Sequence, residues 1–179
     1  LPYDRERASM ACFPFCPDCE REYRNPGDRR FHAEPVACPA CGPRLWLADG
    51  QGRDLATGAD AIERARDELR SGRVVAVKAL GGFQLACRAD SAPAVARLRE
   101  RKRRPGKPFA VMVRDLAAAR AEVELDAAGE ALLASARAPI LLAPRQQGTS
   151  VVDEGAPGLG DLGVMLPTTP VHVELFRDP

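Results

Sequence analysis

Apolar residues recur through the last two thirds of the chain at spacings that switch between helix and strand. Ile62, Ala65 and Leu69 share one helical face, with Thr57 or Asp60 as candidate caps and Gly72 as the stop. Residues 74–77 are a short apolar run, which predicts a buried strand. Lys78 to Gly82 predicts a turn, and residues 83–87 a second strand. Ser91 and Pro93 open another helix, marked by Val95 and Leu98 and ended by Pro105-Gly106. A strand over 109–113 follows, then helices over 115–122 and 126–136 capped by Asp115 and Asp126. Residues 140–143 and 163–166 predict two more strands, separated by a glycine- and proline-rich loop over 144–160. Thr169 and Pro170 open a last helix. Strands mixed with helices after residue 55 predict an α/β domain, and the irregular turns favour an α+β mixed sheet over a doubly wound one.

The first fifty residues have neither period. Residues 12–47 instead carry two C-x-x-C pairs, Cys16/Cys19 and Cys38/Cys41, with 18 residues between them. That spacing falls in the window for a zinc site of four thiolates. Such a site is closed: it leaves no position for water or substrate, so the zinc is structural. A set of three cysteines and His32, or one that recruits Cys12, is the alternative. Four thiolates around a dication carry a net formal charge of about minus two. Arg21, Arg24, Arg29, Arg30 and Arg44 lie in or beside this stretch, either to offset that charge or as solvated loop residues. Cys87 sits in an apolar run and reads as a buried thiol. Asp49 to Gly58, rich in Gly and Asp, reads as a linker. The expected organisation is a zinc-binding module over 1–50, a linker over 51–58 and an α/β domain over 59–179.

Composition adds bounds. With 179 residues, 45% hydrophobic and 28% charged, the chain has room for one ordinary domain, or for one plus a small module. A net charge of +1 points to neither nucleic acid nor membrane by itself. Cysteines at metal-type spacing fit a reducing compartment, the cytoplasm. Leu1 is not a methionine and Pro179 directly follows a candidate helix, so the chain reads as part of a longer protein.

The local charge is less even. Arg97, Arg99, Arg101, Lys102, Arg103, Arg104 and Lys107 crowd the end of one helix, opposed only by Glu100. Two or three cations satisfy a helix C-terminus. The surplus points either to a solvated basic face or to a site for phosphate, of a nucleotide or of a nucleic-acid backbone. Gly81-Gly82, beside Lys78, either permits close approach of a ligand to the backbone or simply forms a hairpin turn. With two histidines in the chain and no Ser-His-Asp set, chemistry here rests on positioning and cation stabilisation.

Several stretches resemble the hydrogenase maturation carbamoyltransferases of the HypF type. These are Asp28-Arg29-Arg30-Phe31-His32-Ala33, then Cys38-Pro39-Ala40-Cys41-Gly42-Pro43, then the run from Val77 to Cys87. The runs from Arg101 to Met112 and from Leu162 to Pro170 are similar again. The resemblance implies a modular enzyme, in which an acylphosphatase-like domain, paired zinc modules, a YrdC-like domain and a larger carbamoyl-transfer domain follow one another. This chain resembles the second zinc module plus most of the YrdC-like domain, ending before that domain's S-x-N signature. Such an enzyme uses carbamoyl phosphate and ATP with Mg2+ and forms a carbamoyl-adenylate. It passes the carbamoyl group to the C-terminal cysteine of a partner maturation protein. By the same resemblance, Lys102 and Arg104 fall on a K-x-R-P motif facing the phosphates or the carbamoyl group, with Lys107 nearby. Lys78, Gly81, Gly82, Phe83 and Gln84 fall on the substrate-binding strand and turn, Gln84 standing where family members carry histidine. The alternative is a module that binds double-stranded RNA through Arg97 to Lys107.

Overall fold

In the computed structural model, which describes residues 5–177, the chain divides after Gly58 into two units. The first unit begins with 3-10 turns at Arg5–Arg7 and Ser9–Cys12 and continues into helix α1 (Pro17–Arg24). No helix was expected among the cysteines, because eight residues are too few to show a hydrophobic period. Its signals are local. Pro17 occupies the first turn, where its missing N–H costs nothing. Asp18 and Glu20 lie at the positive end and Arg21 and Arg24 at the negative end. They also pair along the helix, Arg21 with Asp18 at 2.8 Å and Arg24 with Glu20 at 3.0 Å.

Strands β1 (Trp46–Ala48) and β2 (Asp54–Thr57) close this unit as an antiparallel hairpin. The stretch read as a linker over 51–58 is therefore a turn and a strand. Its aspartate organises it: the Asp49 carboxylate accepts from the backbone N–H of Gln51 and Arg53 and from Arg53 Nε. The buried core of the unit is Cys19, Tyr23 and Val36, with Phe15, Cys16, Ala33, Cys38 and Cys41 packed against it.

The second unit starts with helix α2 (Gly58–Arg70). Gly72, at φ +75°, ends it in a Schellman motif: its N–H reaches Leu69 O, and Arg73 N–H reaches Glu68 O. Strands β3 (Val75–Lys78) and β4 (Phe83–Ala86) form an antiparallel hairpin, with Lys78 opposite Phe83 and Val77 opposite Gln84. β3 is not buried throughout: Val75 and Val77 point inward while Ala76 and Lys78 point out.

Helix α3 (Ala92–Arg101) leads to strand β5 (Ala110–Met112), helices α4 (Leu116–Glu122) and α5 (Ala127–Leu133), strands β6 (Leu141–Pro144) and β7 (Asp161–Met165), and helix α6 (Pro170–Phe176). The caps of α4 and α5 are the expected aspartates: Asp115 accepts from Ala118 N–H and Asp126 from Gly129 N–H. α5 stops at Leu133 rather than 136. The sheet order is β5-β7-β6, with β5 parallel and β6 antiparallel to the central β7. This is the mixed sheet expected from the sequence. Its inward residues Val111, Ala143, Leu162 and Val164 pack on Ala119, Val123 and Leu133 from α4, its end and α5. Among the described residues, no helix is long and apolar enough to cross a membrane.

Candidate functional site

The sulfur atoms of Cys16, Cys19, Cys38 and Cys41 all lie within 4.8 Å of one another. Cys16 caps α1 and Cys19 sits one turn inside it, so both sulfurs share one side of the helix start. The second pair is brought round by a tight turn in which Cys38 O accepts from Cys41 N–H at 3.1 Å and Gly42 N–H at 2.7 Å. A side chain at Gly42 would come within 2.9 Å of that same oxygen, so the turn requires glycine. Sulfur separations are 3.6 Å for Cys16 to Cys38 and 3.8 Å for Cys38 to Cys41. A tetrahedron of thiolates at zinc–sulfur distance has an edge of about 3.8 Å. The four residues fit a tetrahedral metal of that size, and each cysteine is a free thiol.

The thiols differ in acidity. Burial pushes the Cys19 thiol up, and hydrogen bonding with the other three sulfurs pushes it further. Backbone hydrogen bonds at Cys16 and Cys38 draw Cys41 down to about 6. Neither alternative ligand joins the group. Cys12 is exposed and donates to Ser9 O. His32 stacks on Tyr23, ring centroids 4.8 Å apart, with Phe31 edge-on at 4.6 Å. Most arginines of this stretch are otherwise engaged: besides the α1 pairs, Arg30 meets Glu22 at 2.8 Å, and Arg44 reaches Ala40 O. The buried cation of this unit is Arg5, which no cysteine spacing singles out.

In the second unit the hairpin tip is open. Leu80 and Phe83 are 85% and 70% exposed. Gly81 has φ +85°, and neither Gly81 nor Gly82 has a neighbour that an added Cβ would meet. The backbone there is free for close approach. Lys78 Nζ donates to Gly81 O and lies 5.4 Å from the Phe83 ring centroid. Gln84 is exposed on β4.

The basic run separates into two sets. Arg97, Arg99 and Arg104 bind backbone carbonyls. Arg97 reaches Gly72 O at 2.8 Å. Arg99 holds the carbonyls of Arg104 (2.6 Å), Lys107 (3.1 Å) and Glu154, with Phe109 under its guanidinium at 4.6 Å. Arg104 donates to Pro108 O at 2.9 Å and lies 5.4 Å from the Phe109 centroid, while its Nε is buried without a partner. Arg101, Lys102, Arg103 and Lys107 are exposed, with no side-chain hydrogen bond or ion pair among the described residues. The loop is thus built by its inner arginines and presents four cations outward. Sequence reasoning counted the two sets together, because only folding separates carbonyl-bound from solvent-facing cations. No hydrogen bond, ion pair or ring contact among the described residues joins the hairpin tip to this loop.

Residues 67–179 match the Sua5/YciO/YrdC family, described as telomere recombination, and residues 15–48 match the HypF finger. Over 96% of its length the chain is 54% identical to carbamoyltransferase HypF of Rhodobacter capsulatus. Over 99% it is 50% identical to carbamoyltransferase HypF2 of Cupriavidus necator. The chain covers 22% of each of these relatives, about a fifth of their length. A crystal structure of full-length HypF in a phosphate- and nucleotide-bound form superposes with a TM-score of 0.81 at 44% identity, covering 98% of this chain and 22% of that one. With a four-cysteine HypF finger followed by a Sua5/YciO/YrdC domain, and likeness to HypF over nearly all its residues, the chain belongs to the HypF family of carbamoyltransferases.

Proposed function

We propose that this chain is the zinc-finger and nucleotide-handling part of an enzyme that carbamoylates a protein during nickel–iron hydrogenase maturation. The division of labour is a zinc module over 1–50 and a YrdC-like domain over 59–179. The second unit binds ATP with Mg2+ and carbamoyl phosphate, supports formation of a carbamoyl-adenylate, and the enzyme passes the carbamoyl group to the C-terminal cysteine of a maturation partner. The observation that carries this is the 54% identity to a carbamoyltransferase over almost the whole chain. The open glycine turn beside Lys78 and the outward cations Lys102 and Lys107 supply groups suited to phosphate oxygens. Gly81, Gly82, Phe83 and Gln84 line the approach, and Arg104 holds the loop from within. Cysteines 16, 19, 38 and 41 hold a structural zinc, since four thiolates leave no open position. Those thiols bind metal only when reduced, which fits the cytoplasm.

An RNA-binding role that relies on base stacking is less well supported. Phe109, the aromatic beside the basic run, already stacks with two guanidinium groups. Calorimetry of the full-length enzyme with ATP tests the nucleotide reading. Lys102→Ala is expected to weaken binding by roughly 1–3 kcal/mol, the scale of a charge-assisted hydrogen bond, with the thermal midpoint unchanged. Unaltered ATP affinity in that variant contradicts the assignment of Lys102.

A further inference from the structure

Arg5 is 5% exposed, and its guanidinium reaches three backbone carbonyls of the first unit. Nη1 donates to Glu34 O at 2.8 Å and Val36 O at 2.6 Å, and Nη2 donates to Phe13 O at 2.7 Å. The same group lies 3.9 Å from the Phe15 ring centroid. These acceptors are not scattered. Phe13 and Phe15 lead directly into Cys16, and Val36 precedes Cys38 by two residues. One planar fork therefore ties together the two segments that deliver the two cysteine pairs. Val36 is itself one of the three buried core residues of this unit, and Phe15 packs against them. A core that small leaves few other contacts to fix one sulfur pair against the other.

We infer that Arg5 is a positioning residue for the metal centre, and that the metal-holding module reaches back to include Arg5, upstream of residue 15, where the HypF finger match starts. This rests on the reading that the four cysteines hold a metal. The fork geometry matters as well as the charge. A guanidinium reaches three carbonyls in one plane while its face covers a ring; a lysine ammonium is a point charge and cannot do both. Groups that orient ligands from behind typically change metal affinity by about ten- to a hundredfold when removed.

The test uses the whole chain loaded with zinc, in the wild type, Arg5→Lys, Arg5→Ala and, as control, Arg21→Ala, which removes an exposed ion pair on α1. Metal content is measured first, then the rate at which a chelating dye strips zinc. The ligand-field spectrum of the cobalt(II)-loaded proteins is recorded at saturation. Wild type and Arg21→Ala are expected to hold one metal and release it at the same rate. Both Arg5 variants are expected to release it at least about tenfold faster, with shifted cobalt bands even when fully loaded. A purely structural arginine would leave those bands in place. If Arg5→Ala does not fold, Arg5→Lys decides. Arg5→Lys releasing zinc at the wild-type rate with unchanged bands overturns the inference while leaving the four-thiolate site intact. A wild-type chain that takes up no metal overturns the four-thiolate reading, and this inference with it.

Discussion

Four thiols packed within 4.8 Å cannot all ionise unaided, because each new thiolate raises the cost of the next. Cys41 ionises readily, drawn down to about 6, whereas burial and its neighbours keep the proton on Cys19. A dication reverses this by stabilising every thiolate, so metal uptake releases protons. The sign follows. Cys41 has its acidity raised in the folded chain, so the stabilisation its thiolate gives is complete above the ordinary thiol value of 9.0 and is lost as pH falls through about 6. Because uptake displaces protons from all four thiols, metal content is expected to fall as pH is lowered, measured by dialysis and elemental analysis. Cys19→Ser is expected to abolish metal binding and Cys12→Ser to leave it unchanged. The four-cysteine cluster was legible in the sequence because two short loops of fixed length determine where four sulfurs meet. Arg5 was not legible. Its acceptors are main-chain oxygens at 13, 34 and 36, and nothing in the identity of those residues marks them as partners.

Elements carry the loop that presents the cations. α3 ends in a Schellman motif: Arg103 N–H reaches Glu100 O, and Arg104 N–H reaches Arg99 O. The position that normally takes glycine is Arg103, at φ +49°. A non-glycine residue in this left-handed conformation costs on the order of 1 kcal/mol. Arg103→Gly is expected to stabilise the second unit by up to about 1 kcal/mol, offset in part by the greater freedom of glycine when unfolded. Denaturant melts check this, and a destabilised variant contradicts it. A second latch holds the loop after β6. Burial raises the Glu122 carboxyl, but hydrogen bonds from Ser150 and Thr149 outweigh it and hold the group below its ordinary value. Ser150 donates from N at 2.9 Å and from Oγ at 2.6 Å, and Thr149 donates from Oγ1. Its contribution is complete above the ordinary value of 4.5 and is lost as pH falls through the depressed one. Glu122→Gln is expected to cost about 1–2 kcal/mol at pH 7 and to narrow the gap to wild type on acidification. Helix caps and apolar runs let the sequence place most elements of this unit to within a few residues. Helix α1 and the β1–β2 hairpin escaped, since their determinants are charge pairs and one aspartate turn rather than a hydrophobic period.

At the scale of the whole molecule the two units differ in what holds them. The second has a contiguous core in which Leu133, Leu162, Val123 and Val164 are essentially inaccessible. Leu162→Ala is expected to cost roughly 2–5 kcal/mol there. The first has three buried core residues, one of them a cysteine. Metal binding of the zinc-finger kind supplies on the order of 10 kcal/mol to folding, which such a core cannot replace. Order in the first unit is thus expected to depend on the ion, and order in the second is not. Residue-resolved hydrogen exchange, before and after a zinc chelator, measures this directly. Amides of Cys41, Gly42 and α1 are expected to lose protection on chelation, while those of β5, β7 and α4 keep theirs. Protection around the four cysteines that survives complete removal of the metal would contradict it.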